Sequence, residues 1–285
     1  MASPELESVA RAICAAQDLT FHCHVGEGAF KETFQVSNDG VASALKVHRA
    51  DVSVERASRE IDAMTRCNHP NIARVSRIDQ HTIGTESFLY SLEEFVGGGS
   101  LAARLAAQGL YAPTNIQRLG TLLIDAVSHI AARGLVHRDL KPENVMLRED
   151  GETPVLVDFG LVRDLSAPSI TPSWAIHGPG TPRYAPPEQL LNEKALIDWR
   201  SDQFSLGVML SYAVFNFHPY GGASESAVEL VTRVSQRNGP TSRFRDSAHD
   251  AGLTSLPKMV SGWPVGRFRR PENLARAWAS QERRS

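Results

Sequence analysis

The feature that most constrains the fold is a change of hydrophobic period at the glycine triplet, residues 97–99. Before the triplet, apolar and polar residues alternate over short runs, as in residues 19–25, and such alternation is typical of β-strands. After the triplet, apolar residues recur every three to four positions, as in residues 116–130, which is typical of an α-helix. This order predicts an α+β chain with two lobes joined near residues 95–99, rather than a repeated βαβ sheet.

The two patterns also predict where the elements and domains lie. Ser3-Pro4-Glu5 is a typical helix start, and the apolar stripe that follows predicts a short helix. The segments after it predict strands at 19–25, 34–36, 41–47, 73–78 and 87–93, a hairpin turn at 38–40, and a helix over about residues 52–66. We predict an N-terminal helical extension over residues 1–18, a small lobe over 19–95 and a large lobe over 96–285, with residues 19–280 forming one domain.

The composition excludes several classes of protein. The 285 residues carry 30 basic and 32 acidic side chains, a formal net charge of −2, so a strongly basic nucleic-acid binder is excluded. No apolar run approaches the roughly 18–20 residues that span a bilayer, and the first residues lack the basic start of a secretory signal. Three cysteines do not make a disulfide framework in a chain of this length. We therefore expect a cytoplasmic protein without nucleic-acid or membrane partners.

Gly26 and Gly28 lie between two predicted strands. The dinucleotide-binding and P-loop glycine motifs open directly into a helix, so neither fits this context. A glycine loop between strands can instead fold its backbone N–H groups over phosphates as a flap. Ala44 and Lys46 are two residues apart on a later strand and share a face, where Lys46 could meet a phosphate and Ala44 a base. A plain turn and a solvent-exposed lysine are the alternative interpretations.

The most specific segment has the sequence HRDLKPEN at residues 137–144 and is followed by DFG at residues 158–160. A turn at residues 150–151 separates the two motifs, and if it closes a hairpin, Asn144 and Asp158 become neighbours. One charged and one neutral oxygen ligand at one place suit a Mg²⁺ ion that keeps open positions for phosphate oxygens. Asp139 comes a few residues before this site, in a loop where a base could meet a substrate hydroxyl.

At these residues the chain resembles the eukaryotic-type (Hanks-type) serine/threonine protein kinases, over about residues 19–280. Lysine supplies five of the 30 basic residues, a bias that favours a bacterial member. The resemblance implies a bilobal fold, with a small antiparallel sheet and one main helix in the small lobe and mostly helices in the large lobe. It also implies transfer of the γ-phosphate of ATP, with Mg²⁺, to serine or threonine hydroxyls of protein substrates, this chain included.

The resemblance assigns a role to individual site residues. The implied catalytic residues are Asp139, Lys141, Lys46 and Glu60, of which Glu60 would pair with Lys46. The implied metal ligands are Asn144 and Asp158. The implied nucleotide-binding residues are Gly26, Gly28, Val25, Thr33, Ala44, Lys46, Glu94, Val96 and Met146.

A regulated activation segment is implied as well. In kinases that the chain resembles, arginines such as Arg138 and Arg163 form a cationic pocket for a phosphorylated residue of this segment. We expect Thr171 or Ser173 to be that residue, and Arg138 and Arg163 pairing with nearby carboxylates is the alternative interpretation. Thr181, by the same resemblance, would hydrogen-bond near the catalytic residues.

Two further contacts of the large lobe follow from the resemblance. Asp202, in the sequence SDQFSLG at residues 201–207, would brace the catalytic loop. Glu188, at the end of the activation segment, would pair with Arg270.

Four residues depart from the family pattern. Lys31 stands at the third glycine, where we expect it on the outer surface of the flap, and Thr33 stands where a valine normally covers adenine. Pro186 replaces an alanine. Glu93 occupies the gatekeeper position before residues 94–96, and an acidic side chain there needs a partner or water.

Residues 22–24 have the sequence His-Cys-His, which looks like a metal cluster. Strand alternation, however, would place Cys23 on an apolar face with Leu19, Phe21 and Val25 and send both histidines to solvent. We therefore predict no metal site there.

Two other functions remain open from the sequence. A small-molecule kinase of the aminoglycoside-phosphotransferase kind also keeps a base aspartate and a downstream asparagine, but would not be expected to carry the motifs at residues 180–184 and 187–188. A pseudokinase acting as a binding module would need a missing catalytic group, and none is missing.

Overall fold

The computed structural model describes residues 4–28, 31–49, 65–158, 163–164, 182–221 and 225–281. It divides into two compact units. The small unit comprises Met1–His69 with Ala73–Val96, and the large unit comprises Pro70–Ile72 with Gly97–Ser285. No helix among the described residues is long and apolar enough to cross a bilayer. The main boundary lies at the glycine triplet where the hydrophobic period of the sequence changes.

The small unit is built on one antiparallel sheet of five strands in the order β1-β2-β3-β5-β4. The strands are β1 (Thr20–Glu27), β2 (Lys31–Asn38), β3 (Val41–His48), β4 (Val75–Ile83) and β5 (Glu86–Glu94). At the predicted hairpin turn between β2 and β3, Asp39 and Gly40 have φ angles of 47° and 80°. Both angles are in the left-handed region, which explains why this turn carries Asp-Gly.

Helix α1 (Pro4–Ala16) packs on one face of this sheet. Its buried stripe consists of Leu6, Val9, Ala10, Ile13 and Cys14. The strand residues packed in the same core are Phe34, Val36, Leu45, Val47, Phe88, Tyr90 and Leu92. Because side chains alternate along a strand, residues 44, 46, 91 and 93 lie on the opposite face. The helix predicted over residues 52–66 lies almost entirely outside the described residues.

Strand β1 departs from the alternation that its sequence predicts. Its pairing with β2 slips between Phe21 and Cys23 and again between His24 and Gly26, as happens at β-bulges. The first slip leaves Cys23 exposed and places the His24 ring 5.4 Å from that of Phe34. The predicted apolar face was therefore wrong beyond Phe21, and His24 is half-buried rather than exposed.

The prediction for His22 agrees with the structure. His22 is exposed, with Nε2 2.8 Å from Ser37 Oγ. The described residues contain no group of three or more histidine, cysteine or acidic side chains placed to hold a metal ion.

The large unit is mostly helical. Its helices are α2 (Leu101–Gln108), α3 (Pro113–Ala131), α4 (Pro187–Leu190), α5 (Trp199–Phe215), α6 (Ala227–Ser235), α7 (Ser242–Asp250), α8 (Leu256–Met259) and α9 (Pro271–Gln281). Its short strands are β6 (Leu135–Val136), β7 (Val145–Leu147), β8 (Pro154–Leu156) and β9 (Arg163–Asp164). Single 3₁₀ turns occur at Pro142–Asn144, Pro182–Tyr184, Lys194–Leu196 and Pro264–Gly266. The two units together confirm the predicted α+β class, with a small antiparallel-sheet unit and a larger helical unit.

Helix α5 lies at the centre of the large unit and is buried over most of its length. It begins at Asp198, whose carboxylate accepts the Arg200 N–H at 2.8 Å, and ends at Asn216, whose φ of 58° is left-handed. Asp202 stands in its first turn. Close packing also requires glycine in α3, because a Cβ atom at Gly120 would lie 2.2 Å from the Trp278 ring of α9.

Candidate active site

Three of the side chains predicted to meet a nucleotide, those of Thr33, Ala44 and Lys46, share the sheet face opposite α1. One row of cross-strand neighbours consists of Gly26, Thr33, Lys46 and Ser91. The adjacent row consists of Gln35, Ala44 and Glu93. The sequence analysis did not identify Gln35 or Ser91. Gln35 is two residues from Thr33 on β2, and Ser91 is two residues from Glu93 on β5.

The glycine loop is described as far as Gly28 and again from Lys31. The Gly28 N–H donates to the Lys31 carbonyl at 2.8 Å and so joins the ends of β1 and β2. Val25 is exposed. Lys31 is buried, so the prediction of a lysine on the outer surface was wrong. The reason is that Lys31 begins β2 as a cross-strand partner of His48, inside the ladder rather than in the loop.

Lys46 is buried and forms an ion pair within the sheet. Its Nζ lies 2.7 Å from Oε2 of Glu93, and the Ser91 hydroxyl donates to Oε1 of Glu93 at 2.8 Å. The gatekeeper carboxylate therefore has a partner, and that partner is the lysine expected to bind phosphate. Glu60, the partner that the resemblance implies for Lys46, lies outside the described residues.

The remaining predicted nucleotide-binding residues come from both units. Glu94 and Val96 stand at the end of the small unit, where the Glu94 N–H donates to the Arg74 carbonyl at 2.8 Å and Val96 is buried. Met146 lies in β7 of the large unit, paired with Val155 and half-buried.

In the large unit, Asp202 holds the backbone of the loop that carries Asp139. Its Oδ2 accepts the His137 N–H and its Oδ1 accepts the Arg138 N–H, each at 2.8 Å. Arg138 has a left-handed φ of 68°, a conformation that costs a non-glycine residue of order 1–3 kcal/mol. Gln189 Nε2 donates to the Arg138 carbonyl at 2.8 Å, so the strained residue is fixed from both sides.

Burial shifts the pKa values of two side chains that hold this loop, Asp202 and His137. Burial raises the pKa of Asp202 to about 7, against the opposing effect of its two N–H donors. Burial also lowers the pKa of His137, so its ring is neutral at neutral pH. His137 Nδ1 accepts the Asp139 N–H at 3.3 Å, which adds a third restraint on the loop.

The side chain of Asp139 is held by two neighbours. Its Oδ2 lies 2.8 Å from Lys141 Nζ and accepts a hydrogen bond of 2.9 Å from Asn144 Nδ2. The same Asn144 nitrogen also donates to the Asp139 backbone carbonyl at 2.9 Å. Asp139 is partly exposed, whereas Asn144 is buried. The three residues thus form one rigid polar cluster with the Asp139 carboxylate at its accessible side.

The turn at residues 150–151 closes a hairpin. Strands β7 and β8 are antiparallel, with Val145 opposite Leu156, and the Val157 N–H continues the ladder by donating to the Asn144 carbonyl at 3.0 Å. Asp158 follows with a left-handed φ of 64°. The hairpin therefore brings the chain of Asp158 back to Asn144, as the symmetric spacing about the turn predicted.

Glu188 is fully buried and pairs with Arg267, not with Arg270. Arg267 Nη1 lies 2.6 Å from Oε1 and Nη2 lies 3.0 Å from Oε2, a two-pronged contact. The Ser201 hydroxyl also donates to Oε1 at 2.8 Å. Arg270 is exposed, three residues further on. The predicted pairing with Arg270 was wrong, because the chain is already at the surface when it reaches that residue.

The predicted regulatory residues are described only in part. Thr171, Ser173 and Thr181 lie outside the described residues. The backbone of Arg163 forms β9 with Asp164 and stands opposite Val136 of β6, two residues before the buried Arg138. The phosphate-binding pocket thus stays a prediction.

Comparisons with known proteins agree with this geometry. The family model described as "Protein kinase domain" matches residues 19–251. Serine/threonine-protein kinase AtPK2/AtPK19 of Arabidopsis thaliana is 31% identical over 216 residues, which cover 73% of this chain and 44% of that protein. Serine/threonine-protein kinase pkn3 of Myxococcus xanthus is 31% identical over 238 residues, which cover 79% of this chain and 42% of that protein.

The chain thus spans less than half the length of these curated relatives. The family model covers most of the chain, and the match includes the glycine loop, the HRDLKPEN segment and the DFG motif. The chain belongs to the protein kinase family, among its eukaryotic-type (Hanks-type) serine/threonine kinases.

Proposed function

We propose that this chain is an ATP-dependent protein kinase that transfers the γ-phosphate of ATP to serine and threonine hydroxyls of proteins, its own included. The observation that carries the proposal is the cluster of Asp139, Lys141 and Asn144 on a loop fixed by Asp202. Phosphoryl transfer requires little covalent chemistry from the enzyme. It depends on positioning the reactants and on compensating the negative charge of the phosphoryl group. A prearranged base with a cation beside it supplies both.

Asp139 is the proposed base for the substrate hydroxyl. Lys141 and Asn144 both contact its Oδ2, which leaves Oδ1 as the oxygen that can accept the hydroxyl proton. The Lys141 ammonium places a positive charge next to the base, where the transferred phosphoryl group carries negative charge. Lys46 is the proposed contact for the ATP phosphates in the small unit.

Asn144 and Asp158 are the proposed Mg²⁺ ligands, and the donor set fits this ion. The Asn144 amide nitrogen is committed to Asp139, so its amide oxygen is the atom available to a cation. Asp158 adds a carboxylate two residues after β8, next to the Val157 N–H that bonds to the Asn144 carbonyl, and hard oxygen donors of these two kinds are those that Mg²⁺ prefers. Bound there, Mg²⁺ would neutralise charge on the ATP phosphates.

Phosphate transfer is tested with purified protein, γ-labelled ATP, Mg²⁺ and several generic protein substrates. Label should appear on serine and threonine, and Asp139→Asn should lower the rate on the order of 10²–10⁴-fold while the protein stays folded. Asp158→Ala serves as the background control. Incorporation no higher than this background, on substrates and on the protein itself, would favour a pseudokinase.

The same assay separates a protein kinase from a small-molecule kinase. A panel of aminoglycosides replaces the protein substrates, with all other conditions unchanged. Label on an aminoglycoside and none on protein would show that the chain is a small-molecule kinase and not a protein kinase.

We also propose that phosphorylation of Thr171 or Ser173 switches the enzyme on. Arg138 supports this because it is buried in the loop that precedes the base, so a charge that pairs with it would act directly on that loop. A phosphate carries about −1.5 to −2 charges and can make one to three charge-assisted hydrogen bonds. Mass spectrometry of active enzyme should find the phosphate. A Thr171→Ala/Ser173→Ala variant with full activity would refute the switch, and Thr181→Ala should damage catalysis directly.

The proposed location is the cytoplasm, and the proposed partners are proteins only. Cys14 and Cys23 are free thiols, the first buried and the second exposed, which suits a reducing compartment. Fractionation of cells that express the tagged protein tests the location.

A further inference from the structure

Glu93 places a carboxylate inside the small unit, where charge is costly. The residue lies on β5 opposite Ala44 and is 3% exposed, so water does not compensate its charge. Buried carboxylates persist in proteins when a cation and hydrogen-bond donors satisfy them. Here Lys46 is the cation and Ser91 is the donor.

Each oxygen of the Glu93 carboxylate has its own partner. Oε2 lies 2.7 Å from Lys46 Nζ, and Oε1 accepts the Ser91 hydroxyl at 2.8 Å. Lys46 and Ser91 are direct cross-strand neighbours, and Glu93 is two residues beyond Ser91 on the same strand. The three side chains therefore form one polar cluster on the face that carries the predicted nucleotide-binding residues Thr33 and Ala44.

The backbone behind this cluster is rigid. Strands β3 and β5 are adjacent and lie inside the sheet, with partners on both sides, and their ladder pairs Ser43–Val47 with Tyr90–Glu94. A lysine side chain has a flexible four-carbon stem, so its ammonium needs a fixed counterion to stay in one place. The Glu93 carboxylate on the neighbouring strand β5 provides such a counterion, and its position does not depend on any helix.

We propose that Glu93 is the positioning residue of Lys46: it holds the ammonium from within the sheet in the place where the proposed kinase needs it for the phosphates of ATP. The inference rests on the proposed function of this chain. It gives the unusual acidic gatekeeper a role in the reaction, beyond its effect on which inhibitors fit. It also predicts that Lys46 is ordered before nucleotide binds.

Steady-state kinetics test the positioning role. Glu93→Gln keeps the shape but removes the charge, Glu93→Met removes both polar oxygens, and Glu86→Gln is the matched control at the exposed start of the same strand. Circular dichroism and thermal melting show which variants are folded. Because a misplacement of about 1 Å can cost 10²-fold in rate, we expect kcat to fall by about that factor in both Glu93 variants. KM for ATP should change little, since Lys46 keeps its charge.

A spectroscopic measurement tests the same inference without catalysis. The chain has five lysines, so protein labelled with ¹³C at lysine Cε gives a simple spectrum, in which Lys46→Arg identifies the Lys46 signal. The two Hε protons of a held lysine have different chemical shifts, and free rotation of the side chain makes them equal. The difference should be present in the parent and in Glu86→Gln and lost in Glu93→Gln and Glu93→Met.

The outcomes separate this inference from the proposed function. A parent protein without kinase activity refutes the proposed function, and the lysine spectrum then decides the inference alone. An unchanged Hε difference in the folded Glu93 variants overturns the positioning role, whether or not the parent is active. A parent-like kcat in folded Glu93→Gln and Glu93→Met overturns it as well.

Discussion

Replacing Arg267 with leucine tests the most deeply buried ion pair among the described residues. Arg267 and Glu188 have side chains that are 0% exposed. Besides its two contacts with Glu188, the guanidinium donates from Nε to the Ser261 carbonyl at 2.8 Å and from Nη1 to the Arg200 carbonyl at 2.9 Å. Leucine keeps apolar volume at the position but removes all of these donors.

The expected cost follows from what the substitution leaves behind. In Arg267→Leu, the Glu188 carboxylate would stay buried with the Ser201 hydroxyl as its remaining described donor. Breaking a buried pair by removing one partner costs about 3–5 kcal/mol, because the other charge is left uncompensated. In a unit of this size, each kcal/mol lost from the free energy of unfolding lowers Tm by about 2–4 °C. The melting temperature of Arg267→Leu should therefore fall by about 6–20 °C.

Two further variants make this reasoning refutable. Arg270→Leu replaces the exposed arginine that the sequence analysis had paired with Glu188, and it should change the free energy of unfolding by no more than about 0.5 kcal/mol. Glu188→Leu/Arg267→Leu removes both charges and should recover most of the stability lost in Arg267→Leu. Urea unfolding of all four proteins measures these differences. An Arg270→Leu variant less stable than Arg267→Leu would refute the assignment, and a double variant no more stable than Arg267→Leu would refute the electrostatic explanation.

Three further predictions concern the stability of each unit. Lys46→Met should lower the free energy of unfolding of the small unit by about 3–5 kcal/mol in urea. Adding Glu93→Met should restore most of this lost stability. A Lys46→Met variant as stable as the parent would contradict the buried ion pair. The folded pKa of Asp202, about 7, lies above its ordinary value of 3.8, so protonation stabilises the fold at low pH and this contribution is lost as the pH rises through 7. The stability of the parent relative to Asp202→Asn should therefore fall by about 2–3 kcal/mol from pH 5 to pH 8, and a constant difference would contradict the raised pKa. Ile13→Ala should cost about 2–5 kcal/mol in thermal unfolding if α1 is part of the core, with the exposed Arg11→Ala as its control.

The sequence predicted those parts of the fold in which local pattern and tertiary packing agree. Alternation on β3 predicted that Ala44 and Lys46 share a face. They do, with Leu45 between them in the core on the other face, because an internal strand has two well-defined faces. The hairpin of β7 and β8 was predicted for a similar reason, since its turn and its two short strands are contiguous in sequence.

Prediction failed where the backbone departs from a regular period. β1 slips twice against β2, and a slip of one residue exchanges the two faces, so the sequence assigned Cys23 and His24 to the wrong sides. β4 is an edge strand with mostly exposed residues, so little alternation marks its full length to Ile83. Neither departure has a clear local signal in the sequence.

The choice of ionic partner for Glu188 was the other failure, and it concerns the turn directly before Arg267. The chain turns at Pro264–Gly266 immediately before Arg267. The backbone passes close to Ser261 here, since a Cβ atom at Gly266 would lie 2.2 Å from Ser261 Oγ and 3.1 Å from Ser261 Cβ. Directly after this turn, Arg267 Nε donates to the Ser261 carbonyl and Nη1 contacts Glu188. A motif gives the spacing of charged residues along the chain, but the depth at which each arginine is buried depends on such a contact between residues that the motif does not include.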